Sequence, residues 1–169
     1  MKRKSLSVTK KTLNFYQTKL KDPQVRKLYN LFSNNLASMD LTNKKIMVGV
    51  SGGADSLAVL FFSQCYALKN RTKLYPVIID HKLRKESTIE AKNLKYKLKQ
   101  SFKINCKILS KKIVKINKNI QSYARDLRYD LFFEECNKQK IDYLILGHHK
   151  DDLIAVSYTH LTLPTRSYV

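Results

Sequence analysis

A chain of 169 residues that is 43% hydrophobic, with all residue classes present, can close one core of ordinary size, which argues against wholesale disorder. Its 33 basic against 13 acidic side chains leave a net charge of +20, a field that draws in polyanions, nucleic acid first. A Lys-, Asn- and Ile-rich composition shaped by an AT-rich genome gives the same excess of lysine, so both readings stay open.

No apolar run approaches the roughly 20 residues that span a bilayer, and the basic start over residues 1–11 leads into no signal-peptide core. The expectation is a cytoplasmic protein with no membrane partner. Cys65, Cys106 and Cys136 are widely spaced, without a Cys-x-x-Cys pair to hold zinc, a cluster or a redox disulfide, and read as buried thiols.

Residues 1–42 form a basic helical leader, in which Val25, Leu28, Leu31, Phe32 and Leu36 follow Pro23 at helical spacing and predict one amphipathic helix. Residues 46–50 are a short apolar run that stops at Ser-Gly-Gly, the pattern of a buried strand ending in a tight turn. A helix follows over 55–68 with Leu57, Leu60, Phe61 and Cys65 inward, then a strand over 74–79 that Pro76 should shorten. The alternation continues with a helix over 86–100 (Ile89, Leu94 and Leu98 inward) and a strand over 104–109. A helix over 119–139 (Ala124, Leu127, Leu131 and Phe132 inward) and a strand over 143–146 complete it. This order predicts an α/β domain over 43–154: an open parallel sheet with helices on both faces.

Ligands of such sheets collect beyond the carboxyl ends of the strands, where three polar clusters fall. The first, Ser51-Gly52-Gly53-Ala54-Asp55-Ser56, has the parts of a phosphate cradle: glycines that let backbone N–H groups approach, flanking hydroxyls, and a helix N-terminus behind. It lacks the spacing and lysine of a Walker loop. Asp55 has two possible jobs, holding Mg²⁺ on the phosphates or capping the helix. Asp80-His81-Lys82-Leu83-Arg84 follows the second strand and Gly147-His148-His149-Lys150-Asp151-Asp152 the fourth. Metal chelation by the last cluster is the weaker reading, because adjacent histidines seldom point the same way.

Residues 51–56 match the S-G-G-x-D-S signature of the pyrophosphate-loop ATPases, which cleave ATP between its α- and β-phosphates. Within that superfamily, Asp80 to Ser87, Gln121 to Tyr129 and Gly147 to Asp152 resemble, in order, the D-H-x-L-R-x-E-S, A-R-x-x-R-Y and H-H-x-D-D elements of the tRNA(Ile)-lysidine synthetases. The resemblance implies an adenine-nucleotide α-hydrolase-like fold and a ligase that uses ATP and Mg²⁺. Such an enzyme adenylates the wobble cytidine of tRNA(Ile) and lets free lysine displace AMP to give lysidine.

Carried onto this chain, Ser51, Gly52, Gly53, Ala54, Asp55, Ser56, Asp80 and His81 would bind the nucleotide, and Asp55 would carry the metal. Arg84, Arg125, Arg128, Asp151 and Asp152 would bind substrate, and Asp55, Arg125, His149 and Asp152 would act in catalysis. Other adenylating enzymes (a tRNA thiolase, GMP or NAD synthetase) and a non-catalytic RNA-binding protein are the alternatives. The cysteine pattern speaks against a thiolase that works through paired cysteines.

The family continues H-H-x-D-D-x-x-E-T, whereas Ala155-Val156 stand here where Glu-Thr is expected, and the family goes on to further tRNA-gripping domains. The stretch from Val156 to Thr165 matches an in-frame translation of a transposon-end sequencing adapter. Residues 155–169 are therefore expected to be a non-native tail and to lie loosely on the surface, the domain being incomplete at its C-terminus and the fragment itself inactive.

Overall fold

The computed structural model describes residues 10–84, 86–111, 120–147 and 156–157. The chain runs α1 (Lys10–Lys19), α2 (Pro23–Ala37), β1 (Lys45–Gly49), α3 (Ala54–Asn70), β2 (Lys73–Asp80), α4 (Ser87–Ser101), β3 (Lys107–Ser110), α5 (Ile120–Gln139), β4 (Tyr143–Leu146) and β5 (Val156–Ser157). The sheet order is β3-β2-β1-β4-β5, parallel except for the antiparallel β4–β5 pair.

The chain walks outward from β1 to β3 and then returns past β1 to β4. With right-handed crossovers this route puts α3 and α4 on one face and α5 on the other, and the core divides accordingly. Alternate residues of each strand serve opposite faces. Ile46, Val48, Ile78 and Ile145 pack with α1 to α4, whereas Met47, Val77, Leu144 and Leu146 pack with Phe132 and Cys136 of α5.

Pro76 does not shorten β2, which pairs with β1 from Lys73 onward. The carbonyl of Val77 accepts from Val50 N (2.8 Å), so odd residues of β2 face β1 and Pro76 faces the other way. On that side β3 begins only opposite Val77, so no ladder bond is lost.

The leader differs most from expectation. Asp22 caps α2, accepting from Gln24 N (2.9 Å) and Val25 N (3.1 Å), and Pro23 occupies the first turn, so the segment breaks into two helices rather than one. Neither is a separate unit. Tyr16 and Tyr29 are buried against Phe61 and Phe62 of α3, and the Tyr16 hydroxyl donates to the carbonyl of Phe102 at the end of α4. Leu28 and Leu31, expected inward, are 56% and 57% exposed; α2 buries the face of Tyr29 and Leu36 instead. Likewise Ile89 points outward from α4, which turns Ala91 and Leu98 to the core.

Two residues of the expected loose tail, Val156 and Ser157, pair with Leu144 and Tyr143 along the exposed edge of β4. A free sheet edge is a ready template for such pairing. The rest of that tail lies outside the described residues, and among those described no helix is long and apolar enough to cross a membrane.

Candidate functional site

β1 is the switch point of the sheet, since its neighbours β2 and β4 continue in opposite directions along the chain. At such a point the loops beyond the strand ends part and leave a crevice. Here it is a cavity of about 430 Å³, of the size that admits a small organic ligand. Its wall is contributed by the turn after β1 (Ser51, Gly52, Ser56), the loop after β2 (His81, Leu83, Arg84), the inner side of α4, Arg128 and Phe132 of α5, and Gly147.

The turn after β1 is organised by one hydroxyl. Ser56 Oγ is 2% exposed; it accepts from Ser51 N (3.3 Å) and Gly52 N (3.2 Å) and donates to the carbonyl of Gly53 (2.9 Å). The Ser51 hydroxyl in turn donates to Ser56 Oγ at 3.1 Å. The sequence assigned both hydroxyls to a ligand, but in the structure Ser56 shapes the turn. Gly52 sits at φ +91°, which favours glycine.

The donors of the cradle are the N–H groups at the head of α3. Leu57 N bonds back to Gly53 O, so the N–H groups before it lie at the open end of the helix. The N-cap, Gly53, offers no side chain to satisfy them. Among the described residues a Cβ added at Gly53 would meet only Ser51 Oγ, at 3.7 Å, so none of them fills the space in front of these donors. A helix head with no side-chain cap, the helix dipole and this space together suit an anion. Asp55 is exposed in the first turn of α3, where a carboxylate suits the dipole and can also reach a cation carried by a phosphate chain.

Asp80, expected at the nucleotide, does not line the cavity. It is 3% exposed and both of its oxygens are used: Oδ1 accepts from Ser87 Oγ (2.9 Å) and Lys82 N (3.0 Å), Oδ2 from Thr88 Oγ1 (2.7 Å). Burial alone would raise its pKa, but these donors and the Lys82 charge outweigh it and hold the carboxyl below the usual carboxylate range. Its work is to tie the loop after β2 to the head of α4.

That loop presents His81 to the cavity. Burial first, and then the charge of Arg128, push its pKa below the ordinary histidine value, against the pull of Asp80. The neutral ring faces Arg128, with Nε2 and Nη2 at 3.4 Å, while Nδ1 is buried without a partner among the described residues. Arg84 lines the same wall and pairs with Glu90 of α4 at 3.3 Å; both side chains are more than half exposed. A pair so open to water is weak and easily parted.

The structure thus brings together Ser51, Gly52, Ser56, His81, Arg84 and Arg128, with Gly53, Ala54 and Asp55 exposed at the head of α3. Arg125, one turn before Arg128 on α5, is exposed and does not line the cavity. His149, Asp151 and Asp152 lie outside the described residues, and among those described no three His, Cys, Asp or Glu converge on a metal. The sequence reading did not single out Leu83, Ala91 and Leu94 of the wall. Leu94 was expected inward, but nothing in the sequence distinguishes a residue facing a cavity from one facing a core.

Gly147 closes the floor. A Cβ there would fall 2.7 Å from Ser56 Cα and 2.9 Å from the carbonyl oxygen of Asp55, so β4 and the first turn of α3 touch backbone to backbone.

Comparisons with known proteins agree with this geometry. The structure of the U34-tRNA thiolase NcsA from Methanococcus maripaludis, with its [4Fe-4S] cluster, superposes with a TM-score of 0.64 over 78% of this chain and 48% of that one, at 24% identity. That likeness establishes the shared adenine-nucleotide α-hydrolase-like fold. The tRNA(Ile)-lysidine synthase of Wolbachia pipientis is 37% identical over 123 residues, covering 72% of this chain and 28% of the relative. Those of Rickettsia rickettsii and Orientia tsutsugamushi are 34% and 38% identical over 75% and 66% of this chain, and over 27% and 25% of theirs. The chain therefore spans about a quarter of the length of the curated relatives it matches. The profile of the PP-loop domain matches residues 20–163, which takes in α2 as well as the sheet. With its Ser-Gly-Gly turn at the switch point of the sheet, the chain belongs to the PP-loop domain family.

Proposed function

We propose that this chain is the ATP-using part of a tRNA(Ile)-lysidine synthase. In this reading ATP lies with its phosphates at the head of α3 and its nucleoside toward the cavity. The O2 oxygen of the wobble cytidine attacks the α-phosphorus and pyrophosphate leaves. The amine of free lysine then attacks C2 of the activated base and AMP leaves. The observation that carries the reading is the cradle itself: uncapped N–H donors at the head of α3, open space before Gly53, and an adjoining cavity of nucleoside size. The similarity to three lysidine synthases supports the finer assignment.

The residues take chemically suited places. Asp55 is proposed to hold Mg²⁺ on the phosphates, since that ion takes one or two carboxylates and keeps several waters. Arg128 at the cavity, Arg84 on its wall and Arg125 one turn away would balance phosphate charge and bind substrate. Asp151 and Asp152 are proposed to receive the ammonium of lysine, and His149 to take the proton that the amine must lose before it attacks.

A sulfur-transferring reading fits less well. Cys65 and Cys106 are buried in one core and Cys136 in the other, none lines the cavity, and burial pushes their thiols up to about 12, 12 and 11.

Pyrophosphate exchange into ATP tests the proposal. In a full-length protein that carries this domain, exchange that requires a tRNA(Ile) transcript, and that Asp55→Asn lowers at least tenfold, is the expected result. Exchange indifferent to tRNA would point to another adenylating enzyme, and tRNA binding without exchange to a non-catalytic RNA-binding protein.

A further inference from the structure

We infer that the outer face of α4 is an RNA-docking surface, on which lysines take phosphates and the exposed ring of Tyr96 takes a base. The inference rests on the tRNA substrate proposed above and assigns it a place on the molecule.

The charge is not spread evenly. From Ala91 to Arg125 the chain has no Asp or Glu and carries ten lysines and one arginine. The lysines at either end of β3 are matched by α5: Lys107 pairs with Glu135 (2.7 Å) and Lys111, just past the strand, with Glu134 (2.9 Å). Those of α4 are not. Lys92, Lys97 and Lys99 are exposed, with no anionic partner among the described residues. A codon bias toward lysine explains many lysines but not why the acids gather on α5 and leave α4 without one after Glu90.

Ile89, Lys92, Tyr96 and Lys99 follow one another at i, i+3, i+7 and i+10, which sets them along one stripe of the helix. Ile89 is 60% exposed and Tyr96 65%. A helix facing only water does not need a large aromatic there, and bases of any sequence stack on such a ring. A membrane or an apolar protein groove would ask for a continuous apolar face, whereas here lysines, which protein interfaces disfavour, alternate with the two apolar residues.

The opposite side of α4 gives the surface its meaning. Ser87, Glu90, Ala91 and Leu94 line the cavity, so RNA on the outer stripe lies about one helix diameter, roughly 10–12 Å, from the proposed nucleotide site. The strand would be held beside the chemistry without entering it.

The test is binding of a tRNA transcript across a salt series, with the unsubstituted chain, Lys92→Ala/Lys99→Ala, Tyr96→Ala, Tyr96→Phe and a control pair, Lys138→Ala/Lys140→Ala, beyond α4. Losing two phosphate contacts should make the slope of log K against log salt shallower by about 1.4–1.8 in the α4 pair. Tyr96→Ala should weaken binding roughly tenfold and Tyr96→Phe hardly at all. The urea midpoint should not move in any variant, since these side chains are exposed. An unchanged slope, or an equal change in the control pair, overturns the α4 surface while leaving the tRNA reading intact. No tRNA binding by the unsubstituted chain overturns the reading beneath it. Loss of binding to phosphatidylserine vesicles with tRNA binding unchanged overturns the RNA assignment in favour of a membrane.

Discussion

Arg128 Nη2 lies 3.4 Å from His81 Nε2, joining α5 to the end of β2 across the cavity. The helix on one face of the sheet is thereby linked to the loop after β2 at the site, and the link depends on an imidazole without charge.

That dependence has a pH signature. The pKa of His81 is lower in the folded protein than the ordinary value near 6.5, so the unfolded chain binds the proton more readily. Its contribution to stability is fully present above about pH 6.5 and is lost as pH falls from there toward the folded value. Urea midpoints at pH 7.5 and 5.5 check this. The drop on acidification should shrink in His81→Gln, and an undiminished drop would mean that the ring is not held neutral.

Two glycines separate crowding at side chains from crowding at backbone. A Cβ at Gly49 would meet Leu146 Cδ2 at 2.5 Å and Phe132 Cζ at 2.6 Å, whereas at Gly147 it would meet the backbone of Asp55 and Ser56. Gly147→Ala should cost about 1–3 kcal/mol and also lower ATP affinity about tenfold, because α3 must move its first turn. Gly49→Ala should cost stability with a smaller effect on ATP, since its neighbours can rotate. Denaturation and ATP titration of both variants decide it, and equal effects on ATP would remove the backbone contact as the support of the cradle.

Order and type of the elements from β1 to β4 were legible because each strand is a short apolar run and each helix carries a 3.6-residue period. The turn after β1 was legible because a short apolar run stops there at Ser-Gly-Gly and a helical period follows. The inward face of α2 was misread for a physical reason. Periodicity located Leu28 and Leu31 at helical spacing, but the core was filled by Tyr16 and Tyr29, whose polar ends make tyrosine ambiguous in a sequence. Ser56 was placed at the ligand because a hydroxyl suits a phosphate, and Asp80 because of the family resemblance. Only the hydrogen bonds show that both are spent on shaping the loops.

Residues 155–169 are proposed to be foreign to the domain. Amplification of the locus across the codon for Ala155 should return Glu-Thr and a long open frame, and a genomic stop after Val169 would contradict it. Among the described residues Val156 and Ser157 pair with the edge of β4, so ending the chain after Ile154 should change the unfolding free energy, measured in urea, by less than about 0.5 kcal/mol.

The most direct measurement on the central claim is calorimetric titration of ATP into the chain and into Gly53→Val. Gly53 has φ −71° and ψ 160°, a conformation open to any residue, and its added side chain would occupy the space before the donors of α3. The substitution therefore tests access to the cradle rather than backbone strain. The account predicts that the chain binds ATP and that Gly53→Val, still folded by circular dichroism, does not. Unchanged ATP affinity in Gly53→Val would contradict the assignment of the phosphates to the head of α3.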